Sequence, residues 1–283
     1  MSAAPAASPP RGVALIVHGL NFRPEGMLDV ATLVSELSCD CLLVTLRGHG
    51  SNHAGATAGD EAARLSALRG IEHEIWVEEM RAAYRCARER ALQCGAPLIL
   101  VGFSLGGLLG IELIEEGVDG ARYEGILLFA PPIRMRWYVG IVRCLAPFPR
   151  LVLPSFAPKQ TAANAGTPVA AYTALFEASA NVRAADPRQL DVPGLIFVDS
   201  RDELVSERGL GRWARARGLT RWRIVPIDRP LCRDISDYHH LIVDRERIGS
   251  DRWRTMREGI ECWLQGVVSE FQSAHAQRGD SPD

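Results

Sequence analysis

Short apolar runs alternate with longer amphipathic stretches along this chain. Six runs have the composition of strands that are buried on both faces, at residues 13–18, 41–46, 98–103, 125–130, 194–199 and 222–227. The stretches between and after them predict helices at residues 72–92, 105–116, 206–216 and 251–271. Strands that alternate with helices predict an α/β fold, with a mostly parallel central sheet and helices on both faces.

Residues 136–191 interrupt this alternation, because they are far longer than one crossover helix. The segment contains six prolines and many large apolar side chains, among them Trp137, Tyr138 and Phe148. A structureless loop of this length is unusual in a compact domain. The apolar content predicts an inserted cap that folds over the sheet and lines a substrate pocket with these three aromatic side chains. Two ordinary connecting helices with core faces are the alternative.

The chain therefore divides into a core, an insertion and two tails. The predicted core comprises residues 11–135 and 192–272, and the cap comprises residues 136–191. Residues 1–10 are small residues and prolines, without the basic start and apolar stretch of a signal peptide, and we expect a disordered tail there. Residues 273–283 are expected to form a flexible C-terminal tail.

The composition and net charge bear on which partners are expected. The chain has 283 residues, 47% hydrophobic and 23% charged, which is the profile of a soluble globular protein. The formal net charge of −2 supplies no bulk attraction for nucleic acid or an anionic membrane. No apolar run is long enough to span a bilayer. We expect no nucleic-acid partner and no transmembrane segment, and the oligomeric state stays open.

The cysteines point to a reducing compartment. There are seven of them, an odd number, and no pair has metal-site spacing with histidines nearby. Several lie in apolar runs, where a thiol behaves as a small hydrophobic group. We expect reduced cysteines, a cytoplasmic location, and neither a metal nor a cofactor.

A nucleophile motif, GFSLG, occupies residues 102–106. It comes directly after an apolar run and directly before a helix, and this context carries more weight than the five letters. A sharp turn from strand to helix needs small residues on both sides of the serine. The turn exposes the hydroxyl group, and the helix N-terminus directs backbone N–H groups at the same point. Ser104 is therefore the predicted nucleophile.

Serine is a weak nucleophile at neutral pH and needs a base, which in turn needs an orienting acid. In strand-ordered hydrolases these follow the serine in the order acid, then histidine. Asp202 lies in a loop directly after the run at residues 194–199 and is the predicted acid. Asp199 and Glu203 compete with it, although Asp199 is expected to belong to the strand and Glu203 to open the next helix.

The base is expected in the loop after the last apolar run. This loop carries Asp237, Tyr238, His239 and His240 in succession. One of the two histidines is the predicted base, and the residues alone leave the choice open.

The developing oxyanion needs two hydrogen-bond donors. The geometry of the elbow makes the N–H of Leu105 one of them. The loop after the first strand, which contains His18, Gly19 and Leu20, should supply the other, and the N–H of Leu20 is the candidate. His18 is expected to hydrogen-bond the loop backbone rather than to act as a metal ligand or second base.

Five motifs together resemble the serine carboxylesterase, monoacylglycerol lipase and serine aminopeptidase-like branch of the α/β-hydrolase superfamily. They are LIVHGL near the start, LRGHGSN near residue 50, VGFSLGG at the elbow, DELV in the acid loop and HHLIVD in the histidine loop. The resemblance implies the α/β-hydrolase fold, a triad of Ser104, Asp202 and His239, and Leu20 and Leu105 as oxyanion donors.

The resemblance also favours His239 over the alternative base, His240. In the resembling family an aromatic or small residue often precedes the catalytic histidine, and an acidic residue often lies five positions later. Tyr238 and Asp244 fit this frame for His239.

The expected activity is hydrolysis of a carboxylic ester with a small or medium acyl group, through an acyl-enzyme. A thioesterase, an acyltransferase or a peptidase would use the same triad. A non-catalytic ligand-binding member of the fold is the alternative from another class, and the intact triad residues count against it.

Overall fold

A computed structural model describes residues 9–50, 60–115, 122–155, 157–229 and 238–279. The strands are β1 (Gly12–Val17), β2 (Cys39–Val44), β3 (Leu98–Phe103), β4 (Gly125–Phe129), β5 (Val152–Pro154), β6 (Gly166–Pro168), β7 (Gly194–Asp199) and β8 (Trp222–Ile227). The α-helices are α1 (Leu28–Glu36), α2 (Glu61–Arg69), α3 (His73–Cys94), α4 (Leu105–Glu115), α5 (Val169–Ala184), α6 (Pro187–Leu190), α7 (Glu207–Ala216), α8 (Arg245–Ile248) and α9 (Ser250–Gly279). Two 3₁₀ segments occupy Pro24–Met27 and Trp137–Leu145.

Six strands form one sheet in the order β2-β1-β3-β4-β7-β8, and every neighbouring pair is parallel. All residues of β1, β3, β4 and β7 are buried, as expected for central strands covered on both faces. The six apolar runs correspond to these six strands. The predicted α/β-hydrolase fold, with a mostly parallel sheet flanked by helices, is confirmed.

The strand order determines which helices share a face. The chain moves from β1 outward to β2, then crosses back over β1 to β3 and continues in that direction. Because parallel crossovers are right-handed, the reversal places α1 on one face and α3 and α4 on the other. The long α9 packs against β4, where Trp263 and Val267 lie over Gly125, and α5 packs against α3 and α4.

Every motif singled out in the sequence follows the carboxyl end of a strand. Ser104 follows β3, the acid loop follows β7, and the histidine loop follows β8. Strands β1 and β3 are neighbours whose connections leave in opposite directions, so a crevice opens between their carboxyl ends. The parallel sheet therefore gathers side chains that are more than 130 positions apart in sequence at one edge.

Residues 136–191 combine both expected alternatives. The 3₁₀ segment Trp137–Leu145 has no buried residue, and the antiparallel pair of β5 and β6 follows it. Helix α5, by contrast, buries eight residues and packs on the core helices, as an ordinary connecting helix does. Helix α5 thus covers the core helices, and the cap at residues 136–191 stays a prediction.

The C-terminal boundary also differs from expectation. Helix α9 continues to Gly279, so residues 273–279 are helical and not part of a flexible tail. Residues 280–283, and residues 1–8 of the expected N-terminal tail, lie outside the described part of the chain.

Two other sequence expectations concern thiols and membranes. None of the six cysteines within the described ranges forms a disulfide, so all six are free thiols. None of the described helices has both the length and the apolar character that crossing a bilayer requires.

Candidate active site

Ser104 occupies a strained turn between β3 and α4. Its φ of 49° lies in the left-handed region, which non-glycine residues rarely adopt. Its backbone N–H donates to the carbonyl of Phe129 on the neighbouring strand, at 2.9 Å, and its own carbonyl accepts from Gly107 N–H at 3.0 Å. Such strain persists only where surrounding contacts enforce it, and it is a frequent property of functional residues.

The glycines on either side of the serine are required by close backbone contacts. A Cβ atom at Gly102 would lie 2.4 Å from the Cα of Gly107. At Gly106 it would lie 2.5 Å from the carbonyl oxygen of Val17 and 2.6 Å from that of His18. Backbone atoms cannot move aside as flexible side chains do, so the motif is a steric requirement of this turn.

A continuous hydrogen-bond chain connects Ser104, His240 and Asp202. The Nε2 of His240 lies 3.0 Å from Ser104 Oγ, and its Nδ1 lies 2.8 Å from Asp202 Oδ2. A carboxylate accepts hydrogen bonds, so Nδ1 carries the proton and Nε2 has a free lone pair directed at the hydroxyl. All three side chains are buried. A hydroxyl, an imidazole and a carboxylate connected in this order can act as nucleophile, base and orienting acid.

The Asp202 carboxylate is held by its own loop. Its Oδ1 accepts hydrogen bonds from the N–H groups of Leu204 at 2.7 Å and Val205 at 2.8 Å, which leaves Oδ2 for the imidazole. The sequence predicted that Asp202 lies in this loop, and in the structure its carboxylate contacts the imidazole of His240.

His239, which we favoured from the resemblance, does not contact the serine. Its Nδ1 lies 3.1 Å from the Oδ2 of Asp199, the last residue of β7. Consecutive loop residues direct their side chains differently, so only one histidine can reach the nucleophile. The expectation of a contact between His239 and Ser104 is therefore corrected, because His240, the alternative, makes that contact.

The two competing acids hold the histidine loop in place. One oxygen of Glu203 accepts the N–H of His239 at 3.0 Å, and the other accepts the N–H of His240 at 3.1 Å. Asp199 accepts a hydrogen bond from Arg229 Nε at 2.7 Å, in addition to its contact with His239. The sequence pattern marked both acids as alternatives to Asp202 and gave no sign of these roles.

Arg229 was not singled out in the sequence, yet it is buried beside this loop. Besides Asp199, its guanidinium donates to the carbonyls of Tyr238 at 3.2 Å and Leu241 at 3.5 Å. One lone arginine in an arginine-rich chain carries no signal that would have identified it. Asp237, which precedes this segment, lies outside the described residues.

Two aromatic rings pack on the imidazole of His240. The ring centroids of Phe103 and Tyr238 lie 5.2 and 5.8 Å from that of His240. Burial, followed by the nearby carboxylates of Asp202 and Glu203, raises the pKa of Tyr238. The phenol therefore stays neutral, and it adds no charge beside the histidine.

The loop after β1 lies directly against Ser104. A Cβ atom at Gly19 would lie 3.1 Å from the Cβ of Ser104, so a glycine lets this loop approach the nucleophile. Leu20 is the next residue, and Leu105 is the first residue of α4. Neither backbone N–H has a hydrogen-bond acceptor within the described part of the chain. Both are available to a ligand at the serine.

His18 stabilises this loop, as expected. Its Nδ1 lies 2.9 Å from the carbonyl of Gly19, and its Nε2 accepts the N–H of Leu46 at 3.1 Å. Burial lowers the pKa of His18 to about 4, so the ring is neutral near pH 7. His49 has a parallel role, because its Nε2 accepts the N–H of Asn21 at 2.8 Å. The two rings fix the loop that carries Leu20.

The three aromatic residues expected to line a pocket lie in different surroundings. The hydroxyl of Tyr138 donates to the carbonyl of Glu203 at 2.6 Å, so this residue lies beside the acid loop. Trp137 is 83% exposed and Phe148 is 63% exposed. No contact of these two side chains with Ser104 is present in the described part of the structure, so their assignment to the pocket remains a prediction.

A second polar cluster, with His73 and Glu112 buried, joins α3, α4 and α5. The Nε2 of His73 lies 2.8 Å from a carboxylate oxygen of Glu112, whose other oxygen accepts the side-chain amide of Asn181. Burial lowers the pKa of His73, but the hydrogen bond and charge of Glu112, with weaker contributions from Glu177 and Glu74, outweigh it and raise the pKa overall. The sequence pattern did not indicate this cluster.

The His73–Glu112 pair should make stability depend on pH. Because the folded pKa of His73 is raised above 6.5, the stabilisation is fully present below pH 6.5 and is lost as the pH rises through the folded pKa. We therefore expect the difference in free energy of unfolding between the native protein and His73→Gln to shrink as the pH rises. Denaturant unfolding at a series of pH values measures it. The exposed His275→Gln is the control, and a difference independent of pH would contradict this interpretation.

Comparisons with known proteins agree with the fold described above. The model of the alpha/beta hydrolase family matches residues 14–277. A structure reported for the metagenome-derived lipolytic enzymes LipS and LipT is 20% identical, with a TM-score of 0.70, over 92% of this chain and 95% of that one. A soluble variant of monoglyceride lipase from Saccharomyces cerevisiae, bound to a substrate analog, is 14% identical, with a TM-score of 0.69, over 93% and 88%.

The monoacylglycerol lipase of Paleococcus ferrophilus is 16% identical, with a TM-score of 0.61, over 92% of this chain and 96% of that one. No curated protein sequence matches the chain significantly. At these identities the structural neighbours establish the fold, whereas the family model covers nearly the whole sequence. The chain belongs to the alpha/beta hydrolase family.

Proposed function

We propose that this protein is a serine hydrolase that cleaves carboxylic esters through an acyl-enzyme. The observation that carries the proposal is the unbroken hydrogen-bond chain from Ser104 Oγ through the His240 imidazole to the Asp202 carboxylate. The lipolytic and monoglyceride lipase structures among its neighbours support ester chemistry. The substrate is a small or medium acyl ester, and the residues need no metal or cofactor for this reaction.

The triad residues divide the proton transfers between them. Ser104 Oγ attacks the acyl carbon while His240 Nε2 takes the hydroxyl proton. The same Nε2 then gives this proton to the leaving alcohol, and the acyl group remains on Oγ. A water molecule, deprotonated by Nε2, cleaves the acyl-enzyme and restores the serine. Asp202 holds the imidazole in the required tautomer and stabilises its cation in both halves.

The oxyanion that forms on the acyl oxygen is assigned to the N–H groups of Leu20 and Leu105. Their lack of other acceptors in the described structure supports the assignment, as does the contact between Gly19 and Ser104. Leu105 also opens α4, whose N-terminal partial positive charge favours an anion. Fixed donors of this kind stabilise the transition state because they need no reorganisation during the reaction.

A kinetic panel tests the proposed reaction. The purified protein should hydrolyse p-nitrophenyl esters and monoglycerides of short to medium chain length, with higher kcat/KM than for thioesters and anilides of matched acyl groups. A higher kcat/KM for the thioester would instead indicate a thioesterase that uses the same triad. A higher kcat/KM for the anilide would indicate a peptidase. Acyl transfer to an added alcohol in place of water would identify an acyltransferase. A protein inactive on every substrate would favour the non-catalytic, ligand-binding alternative.

A further inference from the structure

The outer surface of the segment between β4 and β5 is apolar and exposed. None of the nine residues of Trp137–Leu145 is buried, although seven of them are apolar. The large apolar side chains that are exposed here are Trp137 at 83%, Phe148 at 63%, Ile141 at 58%, Leu151 at 45% and Tyr138 at 43%. We call residues 137–151 the apolar rim. Several large apolar side chains exposed within fifteen residues indicate an interaction surface in a folded protein.

The charged residues of this sequence segment all have one sign. Between Glu124 and Glu177 the sequence contains five basic residues and no aspartate or glutamate, in a chain whose net charge is −2. Four of the five are exposed, namely Arg134, Arg143, Arg150 and Lys159. A protein without net positive charge therefore has a local cationic surface, and this surface coincides with the apolar rim.

The arginines of this surface are not neutralised by carboxylates. None of Arg134, Arg143 and Arg150 forms an ion pair within the described residues. Arg143 lies over the ring of Phe176, with 4.7 Å between its guanidinium carbon and the ring centroid. Three glutamates, Glu72, Glu74 and Glu177, line a groove on one flank of the rim together with Ala146 and Pro149. The guanidinium groups are thus available to an external anion.

We propose that the apolar rim docks this protein onto the surface of an anionic lipid bilayer. Aromatic and aliphatic side chains that are accompanied by arginines suit the boundary between acyl chains and headgroups, where apolar groups insert and cations meet phosphates. The apolar side chains are spread over fifteen residues at the surface rather than gathered in one deep groove. A deformable lipid surface accommodates such a layout without the shape complementarity that a protein partner requires.

The rim is joined directly to the triad. The guanidinium of Arg136 donates to the carbonyl of Asp202, and the hydroxyl of Tyr138 donates to the carbonyl of Glu203. The docked face therefore adjoins the acid loop, on the edge of the sheet where Ser104 lies. Docking brings the proposed active site to esters that partition into membranes, but binding itself does not rest on the proposed ester hydrolysis.

Vesicle flotation with the full-length Ser104→Ala protein tests the proposal, because this variant separates binding from turnover. We expect binding to vesicles of phosphatidylcholine mixed with phosphatidylglycerol, and weak binding to vesicles of phosphatidylcholine alone. Raising the salt concentration should release the protein, since screening shortens the reach of surface charges.

Two pairs of substitutions separate the apolar and charged contributions. Trp137→Ala with Phe148→Ala should weaken binding by on the order of tenfold or more, because two exposed anchors are lost. Arg143→Glu with Arg150→Glu should weaken binding to the anionic vesicles by about tenfold or more. The controls are Leu92→Ala, an exposed leucine on α3, and the charge reversals Arg215→Glu and Arg254→Glu on α7 and α9. Circular dichroism verifies that each variant is folded.

Equal binding to both kinds of vesicle, or no binding to either, would overturn the proposal. So would equal losses in the rim variants and in their controls. If the native protein is instead a dimer that the Trp137 and Phe148 substitutions dissociate, and it does not float with vesicles, the rim is a contact between two copies of the chain. Salt-sensitive binding to anionic vesicles, lost only in the rim variants, would support docking.

Discussion

Replacing His240 by alanine is expected to lower kcat by on the order of 10⁴–10⁶, whereas His239→Ala should keep a substantial fraction of the activity. The reason is the difference in what the two imidazoles contact. His240 Nε2 lies 3.0 Å from the serine oxygen, within the reach that a general base requires. His239 Nδ1 instead lies 3.1 Å from Asp199.

Each histidine variant serves as the other's control, because both side chains leave the same loop and each contacts one buried acid. In His239→Ala, Asp199 still accepts from Arg229 Nε at 2.7 Å and from the N–H of Arg201 at 2.9 Å, so the acid keeps partners. Steady-state kinetics on one ester, with thermal unfolding of both variants, makes the comparison. An inactive, folded His239→Ala together with an active His240→Ala would reverse the assignment of the base.

The sequence predicted the nucleophile because its signal is local. A strand, a serine flanked by glycines and a helix are consecutive, and the close contacts of Gly102 and Gly106 are consequences of that one turn. The central strands could be predicted for a similar reason, because burial on both faces makes each of β1, β3, β4 and β7 a continuous apolar run. Asp202 followed from the same logic, as a loop residue at the carboxyl end of a central strand.

The choice between His239 and His240 depended on contacts that no local pattern contains. The direction of each imidazole is fixed by Glu203, which accepts both backbone N–H groups, and by Arg229, which holds the adjacent carbonyls. Glu203 comes from the loop after β7, and Arg229 lies at the start of the connection after β8, about ten positions before the two histidines. A frame taken from the resembling family, with an aromatic residue before the histidine and an acid five positions later, pointed to His239, whereas His240 is the one that contacts Ser104.

The helices that the sequence missed lack a clear two-sided pattern. Helix α5, VAAYTALFEASANVRA, is rich in alanine and has apolar residues around most of its circumference, so helical spacing does not stand out. Helices α1 and α2 have only nine residues each. The sequence likewise could not predict that the side chains of Trp137 and Phe148 are exposed. Apolar composition predicts burial and does not reveal which side chains remain at a surface.

The measurement that tests the central claim most directly is the ester hydrolysis of purified Ser104→Ala beside the native protein. The substitution removes one oxygen atom from a side chain that is 6% exposed, so the fold should persist, and circular dichroism and thermal unfolding verify this. The surface variant Ser269→Ala, on α9, controls for the exchange itself. We expect kcat to fall by on the order of 10⁴–10⁶ and covalent labelling by a fluorophosphonate to disappear, while Ser269→Ala keeps both. Near-native turnover or labelling in folded Ser104→Ala would contradict the account, because another group would then be the nucleophile.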